Sequence, residues 1–461
     1  MGMAVDPRRT ALALGRFGLG ARPGDLARGE PVEEVLRREI LAGTVPLPTG
    51  PDLGSTPTLL TALRAEEQAR KLARAASPDA PMPEGPPAPS IEQRTYQAEV
   101  AARLALAREA QTGFIERLVW FWANHFTVSA ARGPQIRVSA GAFEREAIRP
   151  HVLGRFRDLL LAAATHPAML IYLDNVASIG PNSPAGLRRG NGPGKGLNEN
   201  LGRELLELHT LGVDGGYGQD DVTALARILT GWSLHRDGNA EGLPGATAFR
   251  RGAHEPGAVT LLGRTYLDVG PEQLRMALDD LAAHPSTARH VATRLARHFV
   301  ADDPPPALVA RLARTFLDQD GDLSRVVLAL VEAPEAWEPV QRKIRSPQEF
   351  TVAAMRGLAL APDPRMAMGG LAALGQPFWS APAPNGYADD AGTWASPEGL
   401  RARLDLAART GQLAAGTDPM AFAEAVLGPL ATDETRTVIR RAESRAQGVA
   451  LVLMAPEFQR R

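Results

Sequence analysis

The 461-residue sequence contains no cysteine. That absence excludes disulfides, thiolate nucleophiles, zinc–thiolate centres and iron–sulfur clusters, so any metal would rest on histidine, carboxylate or carbonyl ligands. Lysine is scarce as well, standing only at positions 71, 195 and 343, so the basic set is almost wholly arginine, most simply through Arg-favouring codon usage. Neither sign of charge dominates: 51 basic residues face 52 acidic ones for a formal net charge of -1. Nucleic acid and anionic membrane surfaces therefore have no electrostatic claim on the chain. No apolar run approaches the roughly 20 residues needed to span a bilayer. Familiar ligand motifs are missing too. No Gly-x-Gly-x-x-Gly opens a helix and no Gly-x-Ser-x-Gly elbow occurs, and "NGPGKGL" fails as a phosphate loop because Gly196 follows Lys195 where Ser or Thr should bind magnesium. There is thus no nucleotide or flavin motif.

What is present is helical periodicity. Apolar residues recur at three and four positions over most of the chain, and strand alternation is hard to find. Segments 31–42, 58–76, 306–319, 323–337 and 403–416 read as amphipathic helices, and 246–268, with Gly-rich turns between short runs of Val, Thr, Phe and Tyr, reads as a candidate hairpin. The expected class is mainly α: one large helical domain over 1–461 with long irregular loops and at most a short β-hairpin. The length also allows two packed lobes, since single cores stop growing at roughly 250–300 residues. Two stretches break the pattern. Residues 77–90, with six prolines, read as a mobile Pro-rich surface insertion, and 178–197, with six glycines and three prolines, as a Gly/Pro-rich loop of the kind that forms lids. Near the start, Arg8-Arg9 before apolar residues invites a twin-arginine export reading. Arg16 interrupts that apolar stretch and no small-residue cleavage site follows, so a first amphipathic helix closed by Gly18 or Gly20 is the better reading and the cytoplasm the default location.

The densest polar set is "GLNENLGRELLELHTLGVDGG", 196–216. On a helical net Leu201, Leu205, Leu208 and Gly212 share a core face, while Asn200, Glu204 and Glu207 stand on another. Glu199, Arg203 and Glu207 form a ladder of alternating charge, Asn198 or Asn200 can cap the start, and Gly212 supplies a left-handed end. A solvated lattice of charges would explain all this. The preceding glycine-rich loop, however, would turn the helix N-terminus toward any cleft it lines, a setting that favours an anionic group. This predicts a polar cleft walled by Asn198, Asn200, Arg203, Glu204 and Glu207, with Asp214, Tyr217 and Arg227 able to converge on the two glutamates.

Two further constellations stand beside it. In "FIERLVWFWANHFTVSAARG", 114–133, five of the 24 aromatics crowd around His125, which is either a core histidine bonded to a carbonyl or a site residue in an apolar shell. His209 falls on the leucine face of the polar helix. His254 in "GAHEPG" sits on a turn and lacks the helix and second histidine of a zinc-protease motif. The irregular segment 378–400, with Asn385, Tyr387, Asp389 and Asp390, has the make of a loop that closes over a site.

Taken in order, these blocks resemble the bacterial domain-of-unknown-function 1800 family. The resemblance is carried by Trp122 to Phe126, by "FRDLL…HPAMLIYLD" from Phe156 to Asp174, and by the long block at 198–217. "ARILTGW" at 226–232, the loop His254, "HPSTAR" at 284–289 and "PNGYADD" at 384–390 complete it. Leu197, Leu201, Gly202 and Gly218 stand where the family usually has Pro, Tyr, Ala and Thr. The resemblance implies no catalytic residues. It does imply a companion, an exported sulfatase-like protein of the domain-of-unknown-function 1501 family encoded next door, and hence an envelope-related role with co-export to the periplasm.

Two functions follow as expectations. The first is a binding or maturation module for that companion, without turnover. The second is a metal-dependent hydrolase or oxidoreductase holding a divalent cation on a His/carboxylate site. In it His125, His254 and Glu204 are ligands; Glu204, Glu207 and His125 are catalytic candidates; and Asn198, Asn200, Arg203, Tyr217, Arg227, Asn385 and Asp389 contact the substrate.

Overall fold

The computed structural model describes residues 5–76, 88–189, 196–236 and 242–461. Most of the Pro-rich insertion at 77–90 and the centre of the 178–197 loop lie outside the described residues. The fold is mainly α. Many of the chain's prolines open helices: Pro7–Arg16, Pro134–Phe143, Pro271–Ala283, Pro285–Phe299, Pro306–Asp318, Pro347–Gly357 and Pro397–Leu413 all begin on one. At the first helical position a missing N–H costs nothing and the fixed φ is already helical. The two "HP" dipeptides use the same device with a histidine cap: His166 Nδ1 accepts from Ala168 N and His284 Nδ1 from Ser286 N, each at 3.1 Å.

The periodic segments become Val32–Ala42, Thr56–Ala76, Pro306–Asp318, Leu323–Glu332 and Pro397–Leu413. The expected helix 323–337 stops at Glu332 because Pro334 cannot continue it, and a 3-10 turn carries the chain on to Trp337. Pro7–Arg16 is the expected first helix; it is buried from Thr10 onward, and Arg16 donates to the carbonyls of Ala336 and Val340. The candidate hairpin at 246–268 is split. Strand β1 (Trp232–Leu234) pairs antiparallel with β2 (Thr247–Phe249), and β3 (Val259–Leu261) with β4 (Arg264–Tyr266), the latter pair joined by Leu262 and Gly263, both at positive φ. Residues 247–249 find their partner upstream in Trp232–Leu234, which leaves the turn at Gly231 as an extended strand. Among the described residues no helix is long and apolar enough to cross a membrane.

The largest apolar core draws residues from Ala13 to Trp379, and a second runs from Phe350 to Phe458. The Pro347–Gly357 helix joins them, giving Val352 and Met355 to the first and Phe350, Ala353 and Ala354 to the second. Beside this wall a buried ion network ties helices together. Arg149 takes both oxygens of Glu116 at 2.8 Å and Glu144 at 3.0 Å, and Glu144 also accepts Trp379 Nε1 at 3.0 Å and lies 3.2 Å from Arg103. Trp379 is held at φ 42°, a left-handed conformation that is costly for a tryptophan and persists here because its ring, its N–H and its carbonyl are all anchored.

Candidate functional site

The 378–390 segment docks on the aromatic helix Phe114–His125. Asn124 Nδ2 donates to the Tyr387 carbonyl at 2.9 Å, and Tyr387 N donates back to Asn124 Oδ1 at 2.7 Å. A side chain at Gly386 would strike Asn124, with its carbonyl oxygen only 2.4 Å from a Cβ there, so glycine at 386 is required by close approach as well as by its positive φ. Two separated sequence blocks thus meet directly.

Under this junction lies a recess of about 70 Å³ lined by Arg117, Asn124, Arg294, His298, Glu349 and Asp389. It adjoins an outer cavity of about 880 Å³ that shares Arg294, Tyr387 and Asp389 and adds Asn385, Trp394 and Arg403. Helix Pro285–Phe299 presents Arg294 and His298 on one face, four residues apart, with His290 one turn earlier on the same stripe. Helix Pro347–Gly357 brings Glu349, whose position is set by a capping box with Ser346.

The charges are closely interlocked. His298 Nδ1 lies 2.7 Å from Asp389 Oδ2, and Arg117 Nε–H points at His298 Nε2 at 3.3 Å. Because Arg117 can only donate, Nε2 must accept, which places the ring proton on Nδ1, donated to Asp389. Glu349 is met by Arg117 at 3.0 Å and by Arg461 at 2.9 Å, and Asp389 by Lys343 at 3.0 Å. Burial pulls the His298 imidazole down to about 4 despite Asp389, which pulls the other way. Burial would raise both carboxyls, but the surrounding cations outweigh it, holding Glu349 at about 2 and Asp389 well below the usual carboxylate range. Burial and Arg461 draw Arg117 down to about 9. Arg294, half-buried between recess and cavity, makes no hydrogen bond or ion pair with the described residues.

The residues expected from sequence fall into separate places. Asn385 and Asp389 line the outer cavity, Asn385 exposed at its rim and Asp389 bonded within the network. His125 is buried, its Nε2 3.1 Å from the His209 carbonyl oxygen, with the His209 and His290 rings each 5.9 Å away. His254, expected as a mobile ligand on a turn, is instead 4% exposed. Its Nδ1 meets the Thr230 carbonyl at 2.8 Å and its Nε2 meets Gln273 at 3.1 Å, while Gly231 lets the chain pass against its Cβ. The neighbouring Glu255 holds Asn182 N at 2.9 Å and Asn182 Nδ2 at 2.6 Å, so the "HE" pair pins the start of the glycine-rich loop.

The polar helix spans Asn200–Glu204 and then widens into a π turn, Leu205–His209. Asn198 accepts from Asn200 N at 2.9 Å, Gly212 ends the helix at φ 85°, and the buried face is Leu201, Leu205, Leu206 and His209, with Leu208 only partly covered. Arg203 pairs with Glu199 at 3.3 Å and meets Gln219. Glu204 and Glu207 are half-buried, and desolvation and then Glu207 raise the Glu204 carboxyl. Tyr217 feels Glu207, Arg203, Glu204 and Asp214 together, whereas Arg227 is exposed and pairs with neither glutamate. Among the described residues no group of three or more histidine, aspartate or glutamate side chains is placed to hold a metal ion, so His125, His254 and Glu204 are not assembled.

Sequence reasoning passed over His298, Arg294, Arg117 and Glu349. A signal existed in the four-residue spacing of His290, Arg294 and His298, which puts all three on one stripe of the helix Pro285–Phe299.

A family model described as "Protein of unknown function (DUF1800)" matches residues 12–460. Neither a curated protein nor a solved structure matches the chain.

Proposed function

The chain belongs to the DUF1800 family, and from that premise we propose that it is a binding or maturation module acting through the Arg294 cleft on an exported sulfatase-like companion. One observation carries this reading: in the recess, the groups able to move a proton are already bonded inside the protein. Both ring nitrogens of His298 are engaged, and Glu349 and Asp389 each accept from several donors. General acid–base catalysis needs a group free to reach substrate. Groups suited to recognition, Arg294 and Asn385, make no side-chain hydrogen bond with the described residues and border the open cavity.

The companion and the envelope role are those that the family resemblance implies, and such a role has the chain carried to the periplasm with its partner. A metal-dependent hydrolase or oxidoreductase on His125, His254 and Glu204 is the other reading, and the separate settings of these side chains favour the binding module over it. Co-expression with the tagged companion tests the proposal. A single co-eluting complex, found in the periplasmic fraction, is expected. Separate elution at micromolar concentrations, with metal-dependent turnover lost in Glu204→Gln, would replace it with the enzyme reading.

A further inference from the structure

We propose that the cleft binds its ligand through an oxyanion, a carboxylate, phosphate or sulfate group, seated on the guanidinium of Arg294; this rests on the cleft being the binding site.

The argument begins with how this protein treats arginine. Among the described residues every fully buried arginine donates through its terminal NH groups, although Nε of Arg16, Arg149 and Arg403 finds no partner. Arg149 holds two carboxylates, Arg356 donates to the carbonyls of Gly20, Ala107 and Ala110, and Arg403 donates to Gln459 and the Arg345 carbonyl. Leaving a buried polar group unpaired is costly, and the bonding of these side chains reflects that. Arg294 departs from the pattern. It lies partly covered at the neck between the recess and the outer cavity and has no hydrogen bond or ion pair among the described residues.

Charge balance points the same way. The three carboxylates of the network are already met: Glu349 by Arg117 and Arg461, Asp389 by Lys343, and Asp302 by Lys343 at 2.6 Å. His298 stays neutral against Asp389 and adds no charge. Arg345 and Arg403 likewise meet no carboxylate but are bonded to carbonyls or to Gln459, whereas Arg294 has neither kind of partner among the described residues, with Arg297 repelling it and Asp389 the acid that acts on it. The imidazoles of His125, His209 and His290, which its charge helps to keep neutral, offer no compensating anion.

The site also has shape. Arg294 opens onto a cavity of about 880 Å³, room for a group much larger than an inorganic ion, with the Tyr387 side and the Asn385 amide at its wall. A guanidinium fork binds a planar or tetrahedral oxyanion through two parallel hydrogen bonds, roughly twice as strong as neutral ones. The expected ligand is thus an acidic group carried on a body that fills the cavity, whether an acidic side chain of a partner segment or a free organic anion.

The test uses the full chain. Sodium phosphate, sodium sulfate and a short Asp/Glu peptide are titrated at constant ionic strength by calorimetry and by thermal shift, against wild type, Arg294→Gln and the control Arg289→Gln, exposed on the same helix and outside the cavity lining. Wild type should bind at least one probe saturably, Arg294→Gln should lose about tenfold or more in affinity, and Arg289→Gln should stay within about threefold. Tightest binding by the peptide identifies a partner's acidic side chain as the source; binding by the inorganic ions alone identifies a free anion. Without ligand, Arg294→Gln should melt no lower than wild type, because it removes an unpaired cation. Should the Gln variant fail to fold, Arg294→Lys keeps the charge and should still bind several-fold more weakly, having lost the fork. No saturable binding by any probe, or equal binding by wild type and the Arg294 variants, overturns the inference. Capture of the companion by a wild type that binds no oxyanion would overturn it and leave the binding-module reading standing. Oxyanion binding without companion capture would do the reverse.

Discussion

His298 donates from Nδ1 to Asp389 Oδ2 across 2.7 Å, joining two residues 91 positions apart in the chain. The bond fixes the tautomer of a neutral, buried imidazole and draws the 378–390 segment onto the helix Pro285–Phe299.

Four histidines with downward-shifted protonation should make the protein acid-labile. Burial keeps His125, His209, His290 and His298 neutral, His209 down to about 3 and His298 to about 4. Above the ordinary histidine value of about 6.5 neither folded nor unfolded chain protonates these rings, and they leave stability unchanged. Below it the unfolded chain takes up protons that the folded chain refuses, so unfolding free energy falls at roughly 1.4 kcal/mol per pH unit for each histidine. Urea melts between pH 7.5 and 5 should show this slope. His209, whose two ring nitrogens lack partners among the described residues, should contribute one proton, and His209→Leu should flatten the slope accordingly. An unaltered slope would mean that His209 titrates normally.

Breaking the ion network at its centre should be severe. Arg149→Met strands the buried Glu116 and takes one of two cations from Glu144, which keeps Arg103 and Trp379, and an uncompensated buried charge costs about 3–5 kcal/mol. Thermal melting of this variant should fall by many degrees. A drop no larger than that of an exposed control such as Arg157→Met would show the pair to be better hydrated than its burial indicates.

Asn124→Ala should loosen the cleft more than the fold. It removes two hydrogen bonds to the Tyr387 backbone, and the groups left unpaired cost about 1–3 kcal/mol. Amide exchange should accelerate at 382–394 while the helix Phe114–His125 stays protected. Uniform loss of protection would place Asn124 in the global core instead.

Glu204 carries a prediction of opposite sign. Its carboxyl is raised by desolvation and by Glu207, so the folded state prefers the protonated form. At pH above that raised value the ionised group opposes folding, and the penalty disappears as pH falls through it. Glu204→Gln should therefore raise the melting temperature at pH 7.5 and change little at pH 4. A variant equally or less stable at pH 7.5 would indicate that Glu204 has a stabilising partner.

Much of the fold was written locally. Prolines at first helical positions, Ser346 and Asp322 as caps, and Gly212 as a left-handed terminator act within a turn of the residues they govern. Helix identity, the breadth of the polar helix and the mainly α class follow from such short-range chemistry. The same locality reached only part of 246–268, where β3 and β4 form a hairpin inside the expected range while β2 pairs upstream with β1.

The cleft was legible only in fragments. Arg117, Asn124, Asn385 and Asp389 lie in blocks that stood out by composition, whereas Arg294, His298 and Glu349 look like ordinary helix residues. Short-range steric and hydrogen-bond preferences, which sequence expresses directly, determined the helices and their ends. Only the tertiary structure decided which charges are neutralised, because Glu349 meets Arg117 and Arg461 from distant parts of the chain, His254 is buried against Thr230 and Gln273, and Arg294 finds no partner among the described residues. Pairing energy depends on distance in space and on burial, and neither is a property of the chain until it has folded.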